Sequence, residues 1–421
     1  MQTMLNVINE IAAKYHIEFG MPKSNILKIG KKECITMMPL GSQAMTLTTE
    51  YKYLGFNQTN KNKLEKHIKY TKAKTEGAYQ KILKVAGDSL FKGIELKTIW
   101  ELIDCEVAAI ALNTSEVWDP TPKENKEHNQ ILDNIIKRTL KTPRSTPREA
   151  LYIETGMLDL EARRHKNRIN MRKRVMEKST ESTKITMNAP VKGGWSELTD
   201  ALDARYGTAN KGKEAVSKLV GIGFQKKIHT DGEEKSKIKY LLEGRQKNME
   251  VNKKAEYLEW LNRNKASAVF LTRTRMFPAK NNFRSAHPSL TCRFCPHDEE
   301  TQEHLLQECP GVHSDETTKV KKEDFFPQKF EYPKIWQTAA NIEKVLEKIK
   351  KEEEPRKKRA KYKPKYPCTK CEKACRNGQN SIECDGCQKW THLKCTNLTI
   401  QAFIDLSQDQ QATWHCATCG Q

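Results

Sequence analysis

The sequence predicts a mainly α-helical protein with a small β portion at its N-terminus, followed by small modules that depend on zinc. Three observations support this fold class. Apolar residues recur at helical spacing over most of residues 60–275, and short segments rich in Ile, Thr and Tyr precede them. Eleven of the 13 cysteines lie between Cys292 and Cys419, most of them in close pairs. The length of 421 residues allows two to four domains.

Residues 1–56 predict an α+β segment. Leu5, Ile8 and Ala12 form an apolar stripe on a helix over residues 2–19. Three later stretches have turn residues at their ends and partial alternation, which indicates strands: NILKIG, CITMMPL and MTLTTEYKYLGF.

Two helical regions follow, at residues 57–180 and 195–280. Helices are expected over residues 61–85, 95–113, 125–140, 147–156 and 160–178, with a loop at 181–194. The start of the fourth helix has a specific signal: Thr146 and Glu149 are spaced as a capping box around Pro147. Gly156 is expected to end that helix.

The chain carries a large positive charge. Its 74 Lys and Arg residues outnumber 53 Asp and Glu, for a formal net charge of +21. This excess favours a polyanionic partner, and nucleic acid, either RNA or DNA, is the expected one. The alternative is a lysine-rich surface that only keeps the chain soluble. The helix at 160–178 is especially basic, and its candidate nucleic-acid contacts are Arg163, Arg164, Arg172, Lys173 and Arg174.

The surroundings of the protein can also be predicted from the sequence. Cysteines clustered at metal-binding spacing, without a secretory signal, indicate a reducing compartment and no disulfides. The apolar runs are too short to span a bilayer, so no membrane partner is expected. A small-molecule substrate is not expected either.

Residues 367–421 contain eight candidate zinc ligands with the spacing C-x2-C-x12-C-x2-C-x4-H-x2-C-x20-C-x2-C. The ligands are Cys368, Cys371, Cys384, Cys387, His392, Cys395, Cys416 and Cys419. Zinc binds four such groups in a tetrahedron, so eight supply two closed sites, which build structure and do no chemistry. Zinc binding of this kind contributes on the order of 10–16 kcal/mol, enough to fold the segment. Cys375 is left over as a surplus thiol, and a ligand swap with Cys371 is the alternative.

The ligand order of four cysteines, one histidine and three cysteines resembles that of a PHD finger. Trp390, two residues before His392, and Trp414, two before Cys416, match aromatic positions of that family. The resemblance implies a cross-braced module in which the first and third ligand pairs share one zinc ion and the second and fourth pairs share the other.

The same resemblance implies a protein partner, commonly the tail of histone H3, and hence a nuclear location, with the cytoplasm as an additional one. Trp390 would form one wall of an aromatic cage for a methylated ammonium group. The stretch NSIEC supplies no further aromatic wall at the matching position. We therefore expect an unmodified ligand, or one recognised with weak dependence on methylation.

A third zinc site is predicted within residues 288–312. Cys292, Cys295, His304 and Cys309 have the spacing C-x2-C-x8-H-x4-C, which suits one closed tetrahedral site. The spacing resembles the zinc knuckle near the C-terminus of non-LTR reverse transcriptases. Such knuckles bind nucleic acid through a basic rim and an exposed aromatic ring, here Arg293 and Phe294. The alternative is a purely structural staple.

Residues 313–366 are expected to form a linker. A short amphipathic helix is predicted at 341–353, followed by a basic run, Arg356 to Arg359, in which prolines should prevent regular structure. The run suits a nuclear import signal or a phosphate-binding arm, or a solubilising spacer.

Residues 1 to about 315 resemble the end of the palm, the thumb and the following helical connector of non-LTR (LINE-like) retrotransposon reverse transcriptases. The stretches that carry the resemblance are EFGMPKSNILKIGKKE, EYKYLGF, STPREALYIETGMLDLEARRHKNRINMRKRV and LNRNKASAVFLTRTRMFPAKNNFRSAHPSLTCRFCPHDEETQEHLLQEC. The resemblance divides the body into a palm edge (1–56), a thumb (57–180) and a connector (195–280). Polymerisation by that family needs adjacent aspartates that hold metal ions, and this sequence contains no Asp-Asp pair.

The sequence therefore predicts a non-catalytic, zinc-dependent protein that binds nucleic acid and a protein tail. Two enzymatic alternatives remain. The chain is either part of an RNA-directed DNA polymerase whose aspartates lie upstream, or a ubiquitin-ligase adaptor that acts through its C-terminal finger.

Overall fold

The computed structural model describes residues 2–30, 37–61, 63–85, 95–189, 191–245, 253–361, 366–371, 373–375, 379–408, 412–417 and 419. The chain forms two compact units, Met1–Val345 and Leu346–Gln421. The predicted fold class is confirmed at the level of a mainly helical chain with small sheets and C-terminal cysteine clusters. Among the described helices, none is both long and apolar enough to cross a bilayer.

The N-terminal segment is an α+β unit, as predicted. Its elements are α1 (Gln2–Lys14), β1 (Asn25–Leu27), β2 (Met37–Leu40), β3 (Gln43–Thr48), β4 (Glu50–Tyr53) and β5 (Phe56–Thr59). β3 lies centrally, parallel to β1 and antiparallel to β2, and β4 and β5 form a separate hairpin. Helix α1 is shorter than expected because His16 adopts a left-handed backbone conformation, with φ of 54°, just after it.

The predicted helices between residues 61 and 178 are present. They are α2 (Glu65–Val85), α3 (Leu96–Leu102), α4 (Ala109–Ala111), α5 (Pro122–Thr139), α6 (Arg148–Thr155) and α7 (Leu160–Lys178), with a π-helical segment at Ile103–Ala108. Helix α5 buries Ile131, Leu132, Ile135 and Ile136 against the body. These residues recur at helical spacing, so burial of this one face stabilises the helix.

The capping box predicted for α6 does not form. The helix begins at Arg148, Pro147 is its N-cap residue, and no side chain caps it. The carboxylate of Glu149 instead pairs with Lys235, at 2.8 Å. The end of the helix is as predicted, because Gly156 has a φ of 64° and its N–H donates to the carbonyl of Tyr152.

The second half of the body is a layered helical array. Its helices are α8 (Glu181–Met187), α9 (Trp195–Tyr206), α10 (Lys213–Glu233), α11 (Ser236–Gly244), α12 (Tyr257–Trp260), α13 (Arg263–Arg273), α14 (Lys322–Phe325) and α15 (Tyr332–Lys361). Helix α10 is central and packs against α6, α7, α9 and α11. Helix α8 occupies part of the predicted loop.

Residues 313–345 are packed into the body, so the expectation of a linker is wrong there. Val320 and Phe325 are buried, and the N–H of Val320 donates to the carbonyl of Leu306 at 2.8 Å. Helix α15 also continues through Pro355, where the sequence predicted irregular structure. The lysines and glutamates that precede the proline are good helix formers. The side chains of the basic run Arg356–Arg359, and Cys34 altogether, lie outside the described residues.

The C-terminal unit contains β6 (Ser381–Glu383), β7 (Trp390–His392) and α16 (Ile400–Gln408). The two strands pair antiparallel, with Glu383 directly opposite Trp390.

Candidate metal centres and binding residues

The first cluster of the C-terminal unit brings together Cys368, Cys371, His392 and Cys395. Their ligand atoms all lie within 4.8 Å of one another. His392 ends β7, and its Nδ1 lies 3.4 Å from the sulfur of Cys371 and 4.0 Å from that of Cys395. Its Nε2 lies 3.0 Å from the carbonyl oxygen of Ala374. That contact orients the ring with Nδ1 toward the sulfurs, as a metal-binding histidine requires.

The second cluster brings together Cys384, Cys387, Cys416 and Cys419. The sulfurs of Cys387 and Cys416 are 3.8 Å apart. A hydrogen bond from the backbone N–H of Cys416 lowers the pKa of Cys384 to about 6 and so favours the thiolate that binds metal. The two clusters alternate along the chain, which is the cross-brace that the ligand order implied. Cys375 is in neither of them.

The third cluster lies in the body and brings together Cys292, Cys295, His304 and Cys309. His304 begins a π-helical turn, and its Nε2 lies 3.3 Å from the sulfur of Cys295. The sulfur of Cys309 lies 3.8 Å from that of Cys292 and 3.7 Å from that of Cys295.

The donor atoms of all three clusters fit zinc. Each cluster offers four sulfur or imidazole groups and no carboxylate, which is the ligand set of closed structural zinc sites. The twelve residues predicted from spacing thus come together in three groups of four. A closed site of this kind has no open position for a substrate, so its role is to hold the backbone.

Arg293 does not form the exposed basic rim predicted for the knuckle. Its side chain is 3% exposed and forms two hydrogen bonds, of 2.7 and 2.8 Å, with the fully buried carboxylate of Glu300. It also donates to the carbonyl of Pro278. Glu300 neutralises and covers the guanidinium, which therefore stabilises the knuckle instead of facing a phosphate.

Phe294 is half-buried and lies where the knuckle closes on itself. Its N–H donates to the sulfur of Cys292, at 3.4 Å. Its carbonyl packs so closely against Gly311 that a Cβ there would lie 2.3 Å from the oxygen. The backbone contacts of Phe294 favour a structural role for this residue in closing the knuckle. Stacking of its ring on a base stays a prediction.

Four of the five basic candidates on α7 are held by contacts within the body. Arg163 pairs with Asp104 at 2.8 Å. Arg164 is buried, with its guanidinium over Trp118. The other placements are Arg172 against Asp200 and Asp203, Lys173 on the carbonyls of Thr208 and Lys211, and Arg174 exposed. Helix α7 is therefore mainly a packing element, and Arg174 is the candidate best placed for phosphate.

Trp390 is half-buried on β7 and has a neighbour that the sequence reasoning missed. The ring of Tyr366 lies 6.2 Å from that of Trp390, centroid to centroid, at an interplanar angle of 61°. Tyr366 is 47% exposed. A usable signal was present, because Tyr366 precedes Cys368 by two residues, as Trp390 precedes His392. The aromatic ring beside Trp390 therefore comes from this position and not from NSIEC.

Taken together, two interleaved zinc clusters around a short antiparallel pair of strands define a PHD-type zinc finger at the C-terminus. The family model for the Pygopus PHD-type zinc finger matches residues 365–421. Pygopus homolog 1 of Homo sapiens and that of Mus musculus are each 40% identical to the chain over 57 residues. Human Pygopus homolog 2 is 38% identical over 55 residues.

These matches cover 13% of this chain and 14% of each relative. The matches identify the finger and do not extend to the body. No solved structure matches the chain. The resemblance of the body to reverse transcriptases stays a prediction.

Proposed function

We propose that this chain is a non-catalytic, zinc-dependent adaptor whose finger binds a basic protein tail and whose body binds nucleic acid. The aromatic pair Tyr366 and Trp390, on a finger with closed zinc sites, carries the first part of the proposal. Two rings at an angle present faces to an alkylammonium group, and cation–π attraction stabilises it there. Glu383, opposite Trp390, is exposed and adds a carboxylate beside them.

The backbone supports the same ligand class. Among the described strands, β6 pairs only with β7, so an extended peptide can add as a third strand. An extended tail that carries a lysine can pair with β6 through its backbone and place its ammonium group against the two aromatic rings. The tail of histone H3, which the PHD resemblance implies, has this chemistry, and such a ligand places the protein in the nucleus.

Trp390→Ala is expected to weaken binding of a histone H3 N-terminal peptide to the full chain by about tenfold or more, because it removes one of two ring faces. Tyr366→Ala is expected to act in the same direction. Ile400→Ala serves as the control, since it removes an exposed apolar side chain from α16 of the same finger. Calorimetric titration and zinc content are measured together. Unchanged affinity in both aromatic variants, at full zinc content, contradicts the proposal.

The second part of the proposal concerns nucleic acid. The formal charge of +21 favours a polyanion, and the knuckle resembles modules that bind RNA or DNA. On a single strand, affinity is expected to fall with salt by roughly 0.7 log units per phosphate contacted, per log unit of salt. A salt-independent affinity counts against phosphate contacts.

The body is proposed as a remnant of a LINE-like reverse transcriptase that no longer polymerises. This chain contains no Asp-Asp pair, so by itself it lacks the residues that hold the metal ions in that family. Primer extension on an RNA template and autoubiquitination are the two assays that test the enzymatic alternatives. Activity of the purified chain in either assay overturns the non-catalytic proposal.

A further inference from the structure

A polar cleft of about 660 Å³ lies between α5, α6 and the start of α7. Its lining combines cations with carboxamides and carboxylates. The cations that matter here are Lys126, Lys137, Arg144 and Arg148, and the carboxamides are those of Asn125 and Asn134 on α5. The cleft is separate from the three cysteine clusters.

Three of the five cations that line the cleft have partners within the body. Lys137 donates to the carbonyl of Arg144 at 2.8 Å, and Lys235 pairs with Glu149. Arg148 is held by Asp133 and Asp159, at 3.4 and 2.8 Å, so its charge is balanced within the body. Lys126 and Arg144 are exposed, and neither forms an ion pair with a described residue. They therefore face solvent on the rim as a pair of positive charges suited to an anionic ligand.

Glu149 supplies an independent observation inside the cleft. Its side chain is 5% exposed, and its Oε1 pairs with Lys235 at 2.8 Å. Its Oε2 is buried and has no hydrogen-bond partner among the described residues. A buried carboxylate oxygen without a partner is unfavourable, so a ligand that brings an N–H or O–H donor is favoured here.

We infer that this cleft binds one nucleotide unit of a nucleic-acid strand. The phosphate lies on Lys126 and Arg144, and a sugar hydroxyl or base N–H donates to Oε2 of Glu149. The carboxamides of α5 offer hydrogen bonds to a base edge. Inorganic phosphate satisfies only the rim cations, whereas a nucleotide combines the anion with the donor. The inference rests on the proposed nucleic-acid function and assigns it a site.

The experiment compares two double variants of the full chain that each remove two positive charges. Lys126→Ala/Arg144→Ala removes the rim cations, and Lys97→Ala/Lys123→Ala removes exposed lysines that do not line the cleft. Lys123 is on the same helix as Lys126. Binding to a single-stranded RNA oligonucleotide, and to DNA of the same sequence, is followed by fluorescence anisotropy over a range of salt.

The rim variant is expected to raise Kd about tenfold and to flatten the salt slope by about 0.7, the value for one phosphate on a single strand. The control variant is expected to leave the slope unchanged. Equal losses of affinity in both variants overturn the assignment of the site to this cleft, but not nucleic-acid binding by the chain. Failure of the unaltered chain to bind either strand overturns both.

Glu149→Gln tests the interior of the cleft separately. The amide oxygen stays on Lys235 and the NH2 group takes the place of Oε2, so a donor replaces the acceptor. Kd is expected to rise several-fold with no change in salt slope, because the contact involves no phosphate. Thermal melting of the variant checks that the body remains folded. Unchanged affinity of the folded variant overturns the role of Glu149, and the rim variants, which alter only exposed side chains, test the cleft independently.

Discussion

His304 and His392 present different ring nitrogens to their cysteines. His392 has Nε2 against the carbonyl of Ala374, which leaves Nδ1 for the sulfurs. A partner on one nitrogen sets the ring orientation and frees the other for metal. His304 turns Nε2 toward Cys295, and its buried Nδ1 has no hydrogen-bond partner among the described residues. A backbone carbonyl that is not a ligand therefore orients the histidine of the first cluster.

Cys292→Ser is expected to lower the zinc content of the chain from three ions to two. A serine hydroxyl is a poor replacement for a thiolate, and three remaining ligands bind zinc weakly. Cys105→Ser is the matched control, because Cys105 is an exposed thiol outside every cluster. Zinc is measured by elemental analysis, and tail binding reports on the finger. Three ions in the Cys292 variant refute this assignment.

At the scale of elements, a buried ion network ties α6 to α11, α12 and α13. The carboxylate of Glu154 receives Arg273 at 2.8 and 3.1 Å, Arg245 at 2.7 Å and the hydroxyl of Tyr257 at 2.5 Å. Glu154 is fully buried. Burial by itself raises the pKa of Glu154, but the attraction of the two guanidinium groups is larger and lowers that pKa to about 2. One carboxylate on α6 thus contacts side chains from α12, from α13 and from the residue that follows α11.

Glu154→Gln is expected to reduce the free energy of unfolding of the body by about 3–5 kcal/mol, because two guanidinium groups stay buried without their counter-charge. Glu76→Gln is the control, since its pair with Arg138 is exposed and such pairs contribute at most about 1 kcal/mol. Urea denaturation of both variants at neutral pH measures the difference. Equal losses of unfolding free energy in the two variants contradict a stabilising role for the network around Glu154.

The same network predicts a dependence on pH. The folded pKa of Glu154, about 2, is below its ordinary value of 4.5, so the unfolded chain binds more protons between these values. The stabilisation is therefore complete above pH 4.5 and is lost as pH falls toward 2. We expect the stability gap between the native chain and Glu154→Gln to narrow only in that range. A gap that stays constant down to pH 2 argues against a charged Glu154.

At the scale of the whole molecule, the two units are held by different forces. The body, Met1–Val345, buries many apolar side chains from most of its helices. Among the described residues of the finger, the buried side chains are mainly cysteines, with Leu393 the apolar exception. A module with so few buried apolar groups needs metal to fold.

Removal of zinc with a strong chelator is expected to abolish tail binding while most of the helical circular dichroism remains. The reason is that the described helices lie mostly in the body, which has many buried apolar side chains of its own. Re-addition of zinc should restore binding, which separates metal loss from irreversible damage. Collapse of the helical signal on chelation shows instead that the body needs its knuckle zinc to stay folded.

The sequence by itself determined the features that depend on local spacing. The twelve zinc ligands were grouped from their intervals and from the PHD ligand order, because a C-x2-C turn places two sulfurs on one ion wherever it occurs. Gly156 was predicted to end α6 because few other residues adopt its left-handed conformation. The helical body and the N-terminal strands followed from hydrophobic periodicity in the same way.

The tertiary structure alone decided which group each charge contacts. Thr121-Pro122-Lys123-Glu124 and Thr146-Pro147-Arg148-Glu149 have the same pattern, yet only the first forms a capping box. Glu149 pairs with Lys235 from the loop between α10 and α11, and Arg293 is likewise buried against Glu300. A carboxylate binds the nearest donor in its desolvated surroundings. Packing of distant helices sets which donor is nearest, and no local pattern encodes it.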